Sequence, residues 1–218
     1  RSGELRKNTQ LTPPGDLRNV LVALSDRPKF YERVFQYRFA DQDGPLAGHP
    51  LGNLIIAGIS EMQGSTYNAM QILTKFFHTT GKIYPSSDSP LTLHAVFTDG
   101  VEVAGESRIA GYKGMIDHVY VTNTYDDEKP QASRKVVQTI LDSDMVVLGP
   151  GSLFTSILPN LVIEEIGQAL LETKAQVAYV CNIMTQRGET EHFTDANHVE
   201  VLHRHLGQKF IDTVLVNI

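Results

Sequence analysis

Gly149-Pro150-Gly151-Ser152-Leu153-Phe154-Thr155-Ser156 brings two glycines and three hydroxyl side chains into one short segment. The apolar run Met145-Val146-Val147-Leu148 before it reads as a strand buried on both faces, and Val162, Ile163, Ile166, Ala169 and Leu170 after it recur at helical spacing. The glycines therefore lie at a strand-to-helix turn. Glycine there allows positive φ and lets main-chain amides approach a ligand without a Cβ in the way, while Ser152, Thr155 and Ser156 offer hydroxyls near the positive end of a helix. That is phosphate-binding chemistry. Neither standard phosphate motif fits: no lysine stands nearby for a P-loop, and Phe154 occupies the place of the third dinucleotide glycine. A Gly-Pro-Gly turn that serves only as punctuation remains open.

A second polar stretch, Asn182-Ile183-Met184-Thr185-Gln186-Arg187-Gly188-Glu189-Thr190, follows the apolar run Val177 to Cys181. Both stretches are strand ends, where ligands collect in open α/β sheets, and both should sit on one rim. Asp16 stands where a helix begins, placed to accept from free amides, and Arg18 and Asn19 point away from the apolar stripe of Leu17, Val20, Leu21 and Leu24. Gly48-His49-Pro50 opens another helix, with Pro50 in its first turn, Leu51, Leu54, Ile55, Ile59 and Met62 on its buried side and Asn53 off that side. Plain roles compete at each position. Asp16 as a cap alone, His49 as a turn residue bonding the first free amides, and Arg18 on a solvated face all stay open.

The elements that would position these residues follow from periodicity. Helices are expected over Phe30 to Phe39, Thr66 to Phe77, Gln131 to Leu141 and Asp195 to Leu206, and strands over Ile116 to Val121, Met145 to Leu148, Val177 to Cys181 and Thr213 to Val216. Two short runs flank Asp99-Gly100, a strong hairpin signal, as an insert spanning 91–105 after a helical region 16–77. The β-α alternation from residue 116 argues an α/β fold with a parallel, Rossmann-like three-layer sheet within one domain over 1–218.

Composition narrows the partners. With 218 residues, 41% of them hydrophobic, the chain can bury a real core, and its formal charge of -6 with scattered cations disfavours nucleic acid or an anionic membrane. A single cysteine, Cys181, excludes an internal disulfide framework and fits a reducing compartment, and no apolar stretch approaches a membrane span, so a cytoplasmic location is expected. His192, His198, His203 and His205 are not spaced as a two-histidine metal site and read as surface residues; no metal site is assigned. The start at Arg1 and the end in an apolar run lead us to expect a fragment.

Pro13-Pro14-Gly15-Asp16-Leu17-Arg18-Asn19-Val20-Leu21-Val22-Ala23-Leu24, Gly48-His49-Pro50-Leu51-Gly52-Asn53-Leu54, the glycine loop through Asn160, and Cys181-Asn182-Ile183-Met184-Thr185-Gln186 with Gly188-Glu189-Thr190 together resemble the CofD-like family. Within it they are most similar to the YvcK-type branch, the gluconeogenesis factors. The resemblance implies a Rossmann-like fold that binds a nucleotide-containing ligand. The founding enzyme moves a phospholactyl group from a guanosine diphosphate carrier to a deazaflavin with magnesium, whereas the YvcK branch is linked to growth on gluconeogenic carbon and to cell shape, and binds UDP-sugars.

By that resemblance, Gly149, Gly151, Ser152, Thr155 and Ser156 would supply donors to a diphosphate, and Arg18 would pair with a phosphate while Asp16 holds a metal or a hydroxyl. Asn19 starts the same pocket-facing helix. His49 and Asn53 would reach the same rim, and Asn182, Thr185 and Gln186 would meet a base or sugar edge. Catalytic residues are not assigned. The expected partner is a UDP-sugar or another nucleotide diphosphate, with magnesium needed only under a transferase reading, and self-association left open. Two departures matter: the transferase branch has a Ser-Pro-Ile-x-Gly-Gly type stretch where this chain has Asn182 to Gln186, and the family's N-terminal glycine-rich strand has no counterpart except Ser2-Gly3.

Overall fold

A computed structural model describes residues 14–40 and 42–217. Pro13, Ser2 and Gly3 of the sequence reading, Asp41 and Ile218 lie outside them. The chain falls into two units, Arg1–Pro90 and Leu91–Ile218.

The first unit is helical. Its elements are α1 (Gly15–Leu24), α2 (Pro28–Phe35), a 3-10 turn over Gly44–Leu46, α3 (Leu51–Gln63) and α4 (Thr66–Phe76). They close over Leu21, Val22, Phe35, Ile56, Met70, Leu73, Phe77 and Ile83. Ser65 caps α4 by accepting from the Asn68 amide, a device contributing about 1 kcal/mol. Two expectations about helix faces are corrected. In α1 the buried residues are Arg18, Leu21 and Val22, while Val20 is exposed. Arg18 precedes Leu21 and Val22 by three and four residues and so shares their face; a cation with an apolar stem can line a core. In α3 the buried residues are Gly52, Asn53, Ile56 and Ser60; of the expected face, Ile55 and Ile59 are partly buried against the core, whereas Met62 is 80% exposed.

The reason lies in how closely the helices meet. A Cβ on Gly52 would stand 2.4 Å from Phe35 Cδ1 and 2.9 Å from Arg18 Cδ, so only glycine admits both neighbours. Pro50 precedes α3 in extended conformation instead of sitting in its first turn, and it bridges Arg38 in a short antiparallel ribbon.

The second unit is α/β. In order it contains β1 (Leu91–Phe97), β2 (Glu102–Ala104), α5 (Glu106–Gly111), β3 (Ile116–Asn123), α6 (Arg134–Leu141) and β4 (Met145–Leu148). A π-type turn over Leu153–Ile157 then runs into α7 (Leu158–Leu161), followed by α8 (Glu164–Glu172), β5 (Gln176–Val180), α9 (Asp195–Leu206) and β6 (Thr213–Leu215). The Asp99-Gly100 signal forms the expected hairpin: Gly100 has φ +83 and its amide bonds the Phe97 carbonyl, while β1 and β2 pair antiparallel.

β4, β5 and β6 form the parallel sheet with β5 central. β3 departs from the simple alternation. It pairs antiparallel with β1, giving a second sheet of order β2-β1-β3, because its in-register partner on the hairpin is already at hand. One core serves both sheets, with Phe97, Val119, Phe154, Leu158, Tyr179 and Leu202 among its members. Among the described residues, no helix is long and apolar enough to cross a membrane.

The histidines are not all at the surface. His198 is 2% exposed and bonds the Thr194 carbonyl; His205 is half-buried, bonds the Val201 carbonyl through Nδ1 and accepts the Val119 amide at Nε2. Helix α9 is capped by a reciprocal Thr194–Asn197 box.

Candidate functional site

In the first unit the predicted residues converge on Arg18. Its Nη1 donates to Asn53 Oδ1 at 2.7 Å and its Nη2 to Asn19 Oδ1 at 3.1 Å, and Asn19 also accepts from Gln36 Nε2 at 2.9 Å. Arg18 is 6% exposed, its Nε has no partner, and among the described residues no carboxylate lies within ion-pair distance. Burial pulls the guanidinium below its ordinary pKa, repulsion from Arg38 adds to this, and the charge of Asp16 opposes it. A buried cation without an ion pair is costly, and the Asn53 and Asn19 side-chain oxygens offset part of that cost.

His49 is 5% exposed and its Nδ1 has no partner, so the ring does not cap α3 as a turn residue would. Asp16 is exposed within α1; the cap position belongs to Pro14, and no side chain caps that end. The cap role expected of Asp16 is thus not realised.

In the second unit the two strand ends meet. Leu148 of β4 is in register with Tyr179 of β5, so the chains leaving both strands emerge side by side. Gly149 has φ +80, and a Cβ there would stand 3.0 Å from the Val180 carbonyl oxygen and 3.2 Å from Ile157 Cδ1. The Gly149–Pro150 peptide is cis. Beyond it Leu153, Phe154, Ile157 and Leu158 are all buried and anchor the loop from below. The Ser156 and Ile157 amides both bond the Ser152 carbonyl, at 3.0 and 2.9 Å, and the i to i+5 bond makes the turn π-type. Ser156 itself is exposed.

Four hydrogen bonds between three residue pairs join this loop to the next. The Gly151 amide donates to Asn182 Oδ1 at 3.1 Å while Asn182 Nδ2 donates to the Gly151 carbonyl at 2.8 Å. The Ser152 hydroxyl donates to Gln186 Oε1 at 2.6 Å, and the Thr155 hydroxyl to Glu189 Oε1 at 3.1 Å. Thr185 is exposed on the same segment.

Glu189 belongs to this site although type and spacing alone did not single it out. It is 6% exposed and its Oε2 has no partner. Burial pushes its carboxyl above the ordinary glutamate range and the charge of Glu106 adds to it, while the Thr155 hydroxyl and the Phe154 backbone amide oppose the rise. The signal was present: a glutamate following Gly188 at a strand end, three residues beyond Gln186. What could not be read was its burial. A cleft of about 520 Å³ beside it is lined by Tyr112, Lys113, Arg187, Gly188, Glu191 and His192 among others. The larger clefts beside α9, of about 1030 and 630 Å³, are lined by none of the predicted site residues.

A family model described as 2-phospho-L-lactate transferase CofD matches residues 1–218. The chain belongs to the CofD family. Within the family it falls in the YvcK-type branch: it is 81% identical to a Streptococcus pneumoniae protein named "Putative gluconeogenesis factor", over all of this chain and 67% of that protein. It is also 43% identical to the "Gluconeogenesis factor" of Bacillus subtilis, over 99% of this chain and 67% of that one. The solved structure of a UPF0052 family member from Bacillus halodurans superposes with a TM-score of 0.92 at 39% identity, covering 99% of this chain and 68% of that one. The chain spans about two thirds of the length of these relatives.

Proposed function

We propose that this CofD-family chain binds a nucleotide-linked diphosphate of the UDP-sugar class in the cytoplasm, and acts as a gluconeogenesis factor that senses this ligand. It would support growth and cell shape on gluconeogenic carbon. One observation carries the reading: the Gly151 amide and the Ser152 and Thr155 hydroxyls converge at adjoining strand ends, each already satisfied by an acceptor oxygen. Acceptors of that kind are what a diphosphate presents. The names of the Streptococcus and Bacillus relatives support the regulatory role. Within the first unit, Arg18 is buried and, among the described residues, no carboxylate lies within ion-pair distance, which suits an anion.

The family description favours a second reading, a transferase moving a phospho-acyl group from a nucleotide diphosphate. Among the described residues no group of three or more histidine, cysteine, aspartate or glutamate side chains converges as a metal site, and Asp16 stands exposed. These residues do not by themselves fit a magnesium cage, and no step is assigned through one.

Calorimetric titration of the intact protein with UDP-N-acetylglucosamine, UDP-glucose and guanosine diphosphate, with product analysis of each mixture, separates the readings. Tight UDP-sugar binding without turnover is expected. Preference for guanosine nucleotides with a new product would establish the transferase, and indifference to all three would remove both.

A further inference from the structure

Three of the donors assigned to the ligand in the glycine loop, the Gly151 amide and the Ser152 and Thr155 hydroxyls, are already occupied by the chain itself. Asn182, Gln186 and Glu189 place side-chain oxygens at 3.1, 2.6 and 3.1 Å from the Gly151 amide, the Ser152 hydroxyl and the Thr155 hydroxyl. These oxygens stand where those of a diphosphate would have to stand. We infer that residues 182–190 form a strap whose Gln186 and Glu189 side chains compete with the ligand, so that diphosphate binding requires their release. The inference rests on the reading of the glycine loop as the diphosphate site.

The strap is a preformed unit. The Thr190 amide bonds the Gln186 carbonyl at 2.9 Å, the Gln186 amide bonds Thr190 Oγ1 at 2.9 Å, and Gly188 turns the chain with φ +82. It is anchored at one end by Asn182 and the β5 strand, and at the other by Thr190, which is 1% exposed. Between them the side chains of Ile183 and Met184 are 77% and 80% exposed, so little packing resists movement there.

The contact that must break is also the poorly satisfied one. Glu189 Oε2 is shut from solvent and has no hydrogen-bond partner, and the carboxyl lies close enough to Glu106 to be affected by its charge. Releasing Glu189 returns that oxygen to water and removes a negative group from beside the incoming phosphates. Gln186, exposed and held to Ser152 by one bond, is the easier member to displace. Asn182 holds the loop backbone by two bonds and stays in place.

A competitor and a clamp respond oppositely to removal. A protein whose binding-competent state is a minor fraction binds with an affinity reduced by that fraction, so weakening the strap raises affinity. The test is titration of UDP-N-acetylglucosamine into the intact protein and its Gln186→Ala, Glu189→Gln and doubly substituted variants, with melting temperatures confirming folding. Glu189→Gln keeps the side-chain shape, which guards against collapse of the site, and removes the negative charge that stands beside the incoming phosphates. Affinity is expected to rise about threefold to tenfold in the single variants and further in the double.

If the wild type binds but the variants bind equally or more weakly, the strap reading is overturned while the diphosphate site stands. If only the variants bind, the strap is established. Failure of every form to bind would overturn the diphosphate site and the strap with it.

Discussion

Asn182 and Gly151 exchange two hydrogen bonds, the amide of Gly151 donating to Asn182 Oδ1 and Asn182 Nδ2 donating back to the Gly151 carbonyl. The side-chain amide thereby acts as a piece of strand, extending the β4–β5 pairing past the end of both strands. Asn182→Asp keeps the acceptor and loses the donor, leaving the Gly151 carbonyl unpaired. It is expected to cost about 1 to 3 kcal/mol in denaturant unfolding of the intact protein. Loss below a few tenths would show that the loop does not depend on this pair.

Gly52 lies where α1, α2 and α3 crowd together. Adding a methyl 2.4 Å from Phe35 Cδ1 forces that ring or the α3 backbone to shift. Gly52→Ala should lower stability by about 1 to 3 kcal/mol, the usual range for overpacking. Thermal unfolding that leaves the melting temperature unchanged would contradict the close approach.

Arg18 separates stability from binding. The guanidinium is buried beside Asn53 and, among the described residues, no carboxylate lies within ion-pair distance; an apolar isostere such as Arg18→Met removes the buried charge but leaves Asn53 Oδ1 without this donor, so a stability loss of no more than about 1 to 3 kcal/mol is expected. The same change should weaken nucleotide-sugar binding by tenfold or more, in the range of about 1.5 to 3 kcal/mol for a lost charge-assisted bond. Parallel calorimetry and denaturant titration read both. A large stability loss with unchanged affinity would reverse the assignment.

The same two helices mark where sequence reading stopped. The bounds of β4 and α9 and the Asp99-Gly100 hairpin were legible, because each has a local cause: a continuous apolar run, a cap with helical spacing, a turn that demands glycine. The inner faces of α1 and α3 were not. Hydropathy ranks Arg18 and Asn53 as polar, yet they hydrogen-bond to each other across 35 residues, a pairing invisible to any local window. The short helix α5 went unforeseen, since its six residues carry no apolar periodicity. The parallel strands were foreseen, but the antiparallel partner of β3 depends on which neighbour reaches it first, a non-local matter. In the candidate site the glycine loop and Asn182 were readable by type and position. Glu189 became visible only through its burial and its bond to Thr155.

His205 ties α9 to β3 and does so only when neutral. Nδ1 bonds the Val201 carbonyl at 2.7 Å and Nε2 accepts the Val119 amide at 3.2 Å, which a protonated ring cannot do. Burial lowers its pKa, only partly offset by the Val201 bond, and burial lowers that of His203 as well. A depressed folded-state pKa means that the stabilisation is complete above the unfolded value of about 6.5 and is lost as pH falls through the folded value. The melting temperature should therefore decline below about pH 6.5, and His205→Gln should flatten that decline. An identical slope in the variant would assign the effect elsewhere.

The glycine loop itself is tested by removing its hydroxyl donors. The buried anchor of Leu153, Phe154, Ile157 and Leu158 is supplied by neither Ser152 nor Thr155, so replacing both with alanine should leave the protein folded, with a loss of about 1 to 3 kcal/mol from the buried Glu189 carboxyl that loses its Thr155 donor. Calorimetric titration of the intact wild-type protein and the Ser152→Ala, Thr155→Ala double variant with UDP-N-acetylglucosamine then decides the matter. Binding by the wild type, weakened about tenfold or more in the variant, is the outcome predicted here. Equal affinity in the two proteins would mean that the loop is a turn and that any nucleotide sugar is held elsewhere.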